Sequence, residues 1–115
     1  MAFTERFNAG IKKLRDKVKH NPAFSEALEQ YDGRSITLKV TDDATYVFHI
    51  SKDGITMEVS PENPPEDMWL ETSSQILKKM LDEKRVNPTD LLLGRIKWKN
   101  IGLREVGVVR KLLGL

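Results

Sequence analysis

Residues 91–100 read LLLGRIKWKN, and the change of period inside them decides the fold. Three leucines run into a lone glycine, after which basic and apolar residues alternate. A short helix before Gly94 and a strand after it account for both halves. Glycine takes the left-handed conformation that ends helices, and a period of two puts Ile96 and Trp98 on one face and Arg95, Lys97 and Lys99 on the other. Asn87-Pro88 starts the short helix, a capping side chain followed by a residue whose fixed φ suits the first turn.

Upstream, Thr72-Ser73-Ser74-Gln75 reads as a capping box, and Ile76, Leu77, Met80 and Leu81 give the helix it opens a buried side. MWLET (68–72) reads as a short strand before it. SPENPPED (60–67) holds three prolines and three acids, which predicts an exposed connection that cannot join a central strand. Before it lie three runs of period two. Ile36, Leu38 and Val40 share a face opposite Thr37 and Lys39, Tyr46, Phe48 and Ile50 share the next, and Asp53-Gly54 signals a hairpin into ITMEVS.

At the N-terminus Phe3, Phe7, Ile11, Leu14 and Val18 are spaced as one face of an amphipathic helix. Asn21-Pro22 ends it and begins a short helix carrying Phe24, Ala27 and Leu28. The final segment, Leu103 through Val106, Val109 and Leu113, returns to helical spacing. No internal repeat is present.

The chain has 115 residues, enough for one domain, 1–115, with one core. Its 39% hydrophobic and 31% charged residues describe an ordinary globular protein, and no apolar run approaches the roughly 20 residues needed to span a bilayer. The lack of cysteine excludes disulfides, thiolate catalysis and cysteine-bound zinc and fits a reducing compartment. MAFTERFNAG has no secretory signal character and the terminal LLGL is not a peroxisomal address, so a cytoplasmic protein is expected. The net charge of +2 is unevenly spread: residues 1–20 carry +4, residues 61–71 carry −4 and residues 84–115 carry +6.

Catalytic residue types are sparse. His20 and His49 are the only histidines, Ser73 and Ser74 read as a helix start without a G-x-S-x-G elbow, and Glu62, Glu66 and Asp67 lack an apolar setting that would raise a carboxyl pKa. No metal-ligand or phosphate-loop spacing occurs. Arg95, Lys97 and Lys99 could track a phosphate backbone, but Trp98 points away from them, and lysines on an edge strand commonly prevent sheet-to-sheet pairing, so no nucleic-acid partner is expected. We therefore expect neither an enzyme nor a cofactor.

The stretch Glu66–Leu113 resembles the sterol carrier protein type 2 family, the non-specific lipid-transfer proteins. The matching features are Asp67 opening the fourth strand, the capped helix TSSQILKKML, Asn87-Pro88, and the strand motif Gly94-Arg95-Ile96-Lys97-Trp98; the hairpin YVFHISKDGITMEV matches more loosely. Asn100-Ile101-Gly102 stands where that family usually has a Gly-Asp or Gly-Asn turn. The resemblance implies an α+β fold, α-β-β-β-crossover-β-α-β-α, in which a five-stranded mixed, mainly antiparallel sheet carries its helices on one face. It further implies an apolar tunnel between sheet and helices that holds a fatty acyl, isoprenoid or sterol-like lipid.

The expected wall is Tyr46, Phe48, Ile50, Met57, Val59, Met68, Leu70, Leu77, Met80, Ile96 and Trp98 from sheet and helix, with Val106, Val109 and Leu113 of a mobile C-terminal cover weakened by Gly102 and Gly107. The same stripes would equally fill a solid core, which would make the chain a non-enzymatic interaction or accessory module with Leu93 and Trp69 as contact surface. Trp69 is either exposed or covered by the N-terminal helix. Lys12, Lys13, Arg15 and Lys17 surround that helix's apolar stripe, as in helices that lie on anionic membranes, though a solvated basic face gives the same pattern.

Overall fold

The computed structural model describes residues 2–113. Its elements follow in the order α1 (Thr4–His20), α2 (Pro22–Glu29), β1 (Ser35–Val40), β2 (Thr45–Ser51), β3 (Gly54–Val59), β4 (Met68–Thr72), α3 (Ser74–Glu83), α4 (Pro88–Leu92), β5 (Lys97–Lys99) and α5 (Leu103–Leu112). The five strands form one sheet ordered β3-β2-β1-β4-β5. Only the β1–β4 pair is parallel among the described strands, so the sheet is mixed and mainly antiparallel.

Strand register puts the expected apolar residues on one face. Ile36 pairs with Phe48 and Met68, Leu38 with Tyr46 and Leu70, Phe48 with Met57, and Leu70 with Trp98. The helices cover this face, and Phe7, Leu14, Leu28, Leu77 and Val109 enter one cluster with the strand residues. α1 lies over the β1–β3 half. Its Phe7 ring meets Tyr46 and Phe48 edge-on at 5.1 and 5.2 Å, and burying such aromatics contributes about 2–3 kcal/mol each. The Tyr46 hydroxyl donates to Asp43 at 2.6 Å and accepts from the Phe3 N–H at 3.1 Å, fixing the start of α1.

Several local features fall one residue from their expected places. The β2–β3 turn is Lys52-Asp53, because Gly54 already pairs with Ser51 in the strand, at a φ of +142° that favours glycine. The N-cap of α3 is Ser73, accepting from the Ile76 N–H at 3.3 Å, while Thr72 stays in β4 and donates its hydroxyl to the Arg95 carbonyl. Asp42 completes the cap by accepting from the backbone and hydroxyl of Ser74. The last strand is shorter than the alternation implied: the Arg95 N–H donates to the Asp90 carbonyl, which holds the chain in the turn until Lys97. Gly94 has the expected positive φ, +70°.

Trp69 points to the face opposite α1, so the N-terminal helix does not cover it; the Lys99 ammonium lies 4.8 Å above its ring. Residues 60–67 carry the chain from the β3 edge past β2 and β1 to β4. At the end of this connection Asp67 joins three strands. It accepts from the Ser35 N–H at 3.0 Å and from both Arg34 Nε (3.3 Å) and Nη2 (2.7 Å), while its carbonyl accepts from the Asn100 side chain at 3.2 Å.

The Arg34 hydrogen bond, aided by the Ser35 N–H, holds the Asp67 carboxyl below its usual 3.8 despite the opposing effect of burial. A depressed folded value gives stabilisation that is complete above the unfolded value and lost as pH falls through the folded one. Asp67→Asn should therefore lower stability at pH 7 by about 1–2 kcal/mol in urea unfolding, the lower end reflecting the partly exposed Arg34 partner. The difference from wild type should shrink as pH falls below 3.8, and a gap that persisted in acid would rule out charge as its cause.

Candidate functional site

The sheet face is filled on one half and open on the other. Over β1–β3, α1 packs its Phe3 and Phe7 rings on the sheet, where Tyr46, Phe48 and Ile50 are buried. Beyond β4 the helices stand away from the sheet, and a cleft of about 650 Å³ opens between the ends of α3 and α4, the β4–β5 face and α5. That volume lies within the range typical of small-molecule sites. The floor is Leu70, Met80 and Ile96; the α5 side is Val106, Val109 and Leu113; Trp98 stands at the open edge.

Seven expected wall residues thus meet in one place: Leu70, Met80, Ile96, Trp98, Val106, Val109 and Leu113. Seven others do not line the cleft. Tyr46, Phe48, Ile50, Met68 and Leu77 are buried in the packed core, and Met57 and Val59 are half-buried against that core on the outer strand β3. The reading of the sequence missed Arg85, Val86, Leu91, Ile101, Gly102, Leu103 and Arg110, which complete the lining. Helical spacing grouped Leu103 with Val106, Val109 and Leu113 without placing it in the wall, and nothing in the sequence marks where the 84–87 and 100–102 connections pass.

The edge position of β5 explains Trp98. Its register against Leu70 turns it to the helix side, yet no strand lies beyond it and α5 does not close over it, so it is 51% exposed. α5 is held lightly. Val109 and Leu113 are its buried contacts, Tyr31 donates its hydroxyl to the Arg104 carbonyl at 3.3 Å, Glu105 lies 3.7 Å from Arg34, and the Lys111 ammonium stands 5.4 Å over Phe24.

A polar recess adjoins the apolar cleft and shares Trp98, Ile101 and Gly102 with it. Arg34, Glu66, Asp67, Lys99, Asn100 and Glu105 line this recess, so one continuous groove is apolar at one end and charged at the other. On the far side α4 is anchored by charge. The buried Asp90 accepts from Arg95 at 3.1 Å and from Lys79 at 3.4 Å, and the Arg95 hydrogen bond, foremost, holds its carboxyl below the usual range.

The remaining polar candidates stand apart from the groove. His49 Nε2 lies 2.9 Å from Glu58 on the other sheet face, His20 is exposed at the end of α1, and Ser73 and Ser74 serve the α3 start. Lys12, Lys13, Arg15 and Lys17 are exposed on α1, whose apolar residues are directed into the core. Among the described residues no group of three or more His, Cys, Asp or Glu is arranged to hold a metal ion, and no helix is long and apolar enough to cross a membrane.

Gly107 lies inside α5 with open space where a Cβ would stand. Gly107→Ala should raise stability by about 0.5–1 kcal/mol and slow amide exchange across 103–112, because the helix loses an interior glycine without a clash. Unchanged exchange would mean that α5 is not limited by its own helical stability.

No protein-family model matches the chain, and a search of curated proteins gives no match. Solved structures do match. A ubiquinone synthesis protein, UbiJ-SCP2, superposes with a TM-score of 0.63 at 16% identity, over 98% of this chain and 93% of that one. A Thermus thermophilus protein described as possibly a sterol carrier protein gives 0.63 at 16% identity over 94% and 81%. Sterol carrier protein 2 from Yarrowia lipolytica gives 0.58 at 16% identity over 93% and 85%. The strand order, the helix-covered face and these superpositions agree: the chain has the fold of the sterol carrier protein 2 domain.

Proposed function

We propose that the protein binds one apolar lipid chain non-covalently in the cleft beneath α5 and carries it in the cytoplasm, acting as a single domain without chemistry of its own. The observation that carries this reading is the unfilled apolar cleft itself, bordered by a half-exposed Trp98 and a nearly fully exposed Leu103. A side chain meant only for packing would be covered, whereas one meant for a ligand is covered when the ligand arrives. The shared fold of the sterol carrier domains supports the same assignment.

The chemistry of binding is exclusion of water. Each methylene moved from water into such a cleft contributes about 0.8 kcal/mol, and Met80 adapts to ligands of differing shape. The charged recess gives the ligand a direction. An amphipath lies with its chain on Leu70, Ile96 and Val109 and its polar head toward the recess lined by Arg34, Asn100, Glu66, Asp67 and Glu105. This favours a fatty acyl or isoprenoid chain with a polar end over a rigid sterol body. α5 acts as the cover, its weak anchorage allowing loading.

Native mass spectrometry with organic extraction, followed by titration with a fluorescent fatty acid, tests the proposal. We expect a co-purifying lipid or one-to-one saturable binding, strengthening up to about fifteenfold for each added pair of buried methylenes until the cleft is full. Val106→Trp, which fills the cleft from a half-exposed position, should weaken binding at least tenfold with little change in melting temperature. A bare protein that ignores acyl chains, or a Val106→Trp variant that binds as wild type does, would move the assignment to an interaction module with no lipid.

A further inference from the structure

The large apolar side chains exposed among the described residues are Leu91, Leu92, Leu93, Trp98, Leu103 and Val106. Every one belongs to α4, β5 or α5 or to the residue following α4, the segments that frame the cleft. Scattered exposed leucines are ordinary, but a set gathered around one opening marks a contact surface. Leu92 is 87% exposed and Leu103 97%, so almost the whole of each side chain is open to a partner.

Charge specifies what they meet. Residues 84–115 hold eight Lys or Arg against Asp90 and Glu105, and both acids face cations: Asp90 is held by Lys79 and Arg95, and Glu105 lies near Arg34. Arg85 and Arg110 line the cleft and Arg104 adjoins Leu103. Exposed aliphatic side chains beside a surplus of arginines match the interface of an anionic bilayer, where apolar groups enter the acyl boundary and cations meet phosphates. α1 lacks this pairing, because Phe7, Ile11 and Leu14 are buried beneath its lysines.

We infer that the protein docks on anionic membranes through the rim of the cleft, Leu92, Leu93 and Leu103 entering the interface and Arg85, Arg104 and Arg110 meeting lipid phosphates. Docked in this way, the cleft opens directly onto the acyl chains, and a lipid passes between bilayer and protein without crossing water. The inference rests on the cleft being the lipid site, and its test keeps the two separate.

The full chain is sedimented with phosphatidylcholine vesicles containing or lacking 30% phosphatidylglycerol, and separately titrated with a fluorescent fatty acid in the absence of vesicles. Leu92→Asp with Leu93→Asp, and Arg104→Glu, alter the rim without touching the cleft lining. We expect wild type to bind the anionic vesicles at least tenfold more tightly than neutral ones, each variant to lose most of that binding, and their fatty-acid affinity to match wild type. Variants that still bind vesicles, loss caused instead by Lys12→Glu with Lys13→Glu, or a wild type that dimerises and ignores vesicles would each overturn the docking surface. Rim-dependent vesicle binding with no fatty-acid binding would uphold docking and remove the lipid-carrier reading.

Discussion

The parallel register between β1 and β4 is the constraint on which the rest of the structure depends, and Asp67 holds it. A meander of three strands needs only short turns, but β4 must arrive beside β1 after a connection rich in proline, with no helix to guide it. The Asp67 carboxylate reads the start of β1 twice, through the Ser35 N–H and the Arg34 guanidinium, and a one-residue slip would lose both. From that register follows the placement of Leu70 between Leu38 and Trp98 and so the floor of the cleft.

The sheet then supports two different interiors. Phe3, Phe7, Tyr46 and Phe48 meet over the β1–β3 half, and their rings fill the space under α1 in edge-on contacts. The α5 side offers Val106 and Val109, with Gly102 and Gly107 nearby, to a floor of Leu70 and Ile96. Aliphatic side chains of that size do not span the gap, and α5 is tied to the body at its flanks by Tyr31, Arg34 and Phe24. Packed rings and an apolar cleft thus occupy different parts of one sheet face, the first under α1 and the second beside α5.

The sequence shows the first of these interiors well and the second poorly. Period-two alternation placed Tyr46, Phe48, Leu70 and Trp98 on one face because successive strand side chains point to opposite faces. The same rule could not say that Trp98 would be half-exposed, since exposure depends on β5 being the edge. Capping signals found α2, α3 and α4 and apolar spacing found α1 and α5, but the α3 cap moved to Ser73 once the Thr72 hydroxyl bonded the Arg95 carbonyl, a long-range contact with no local signature. Arg85, Ile101 and Leu103 reach the cleft from connections and a helix start, whose course tertiary packing sets. Asp90 is legible only in retrospect, because both of its partners lie off its own short helix.

That buried carboxylate explains why three consecutive leucines remain in water. A five-residue helix has one side to bury, and in α4 that side is Asp90, clamped by Lys79 from α3 and Arg95 from the following turn. A charge buried this way is held in place by the cost of leaving it unpaired, so the helix cannot roll to bury Leu92 or Leu93 without stranding Asp90. Had the chain used a leucine at position 90, the same helix could pack by its apolar side against Met80 and Ile96 and close the cleft from that end. The ion pairs therefore fix the rotation of α4, and with it the outward direction of Leu92 and Leu93.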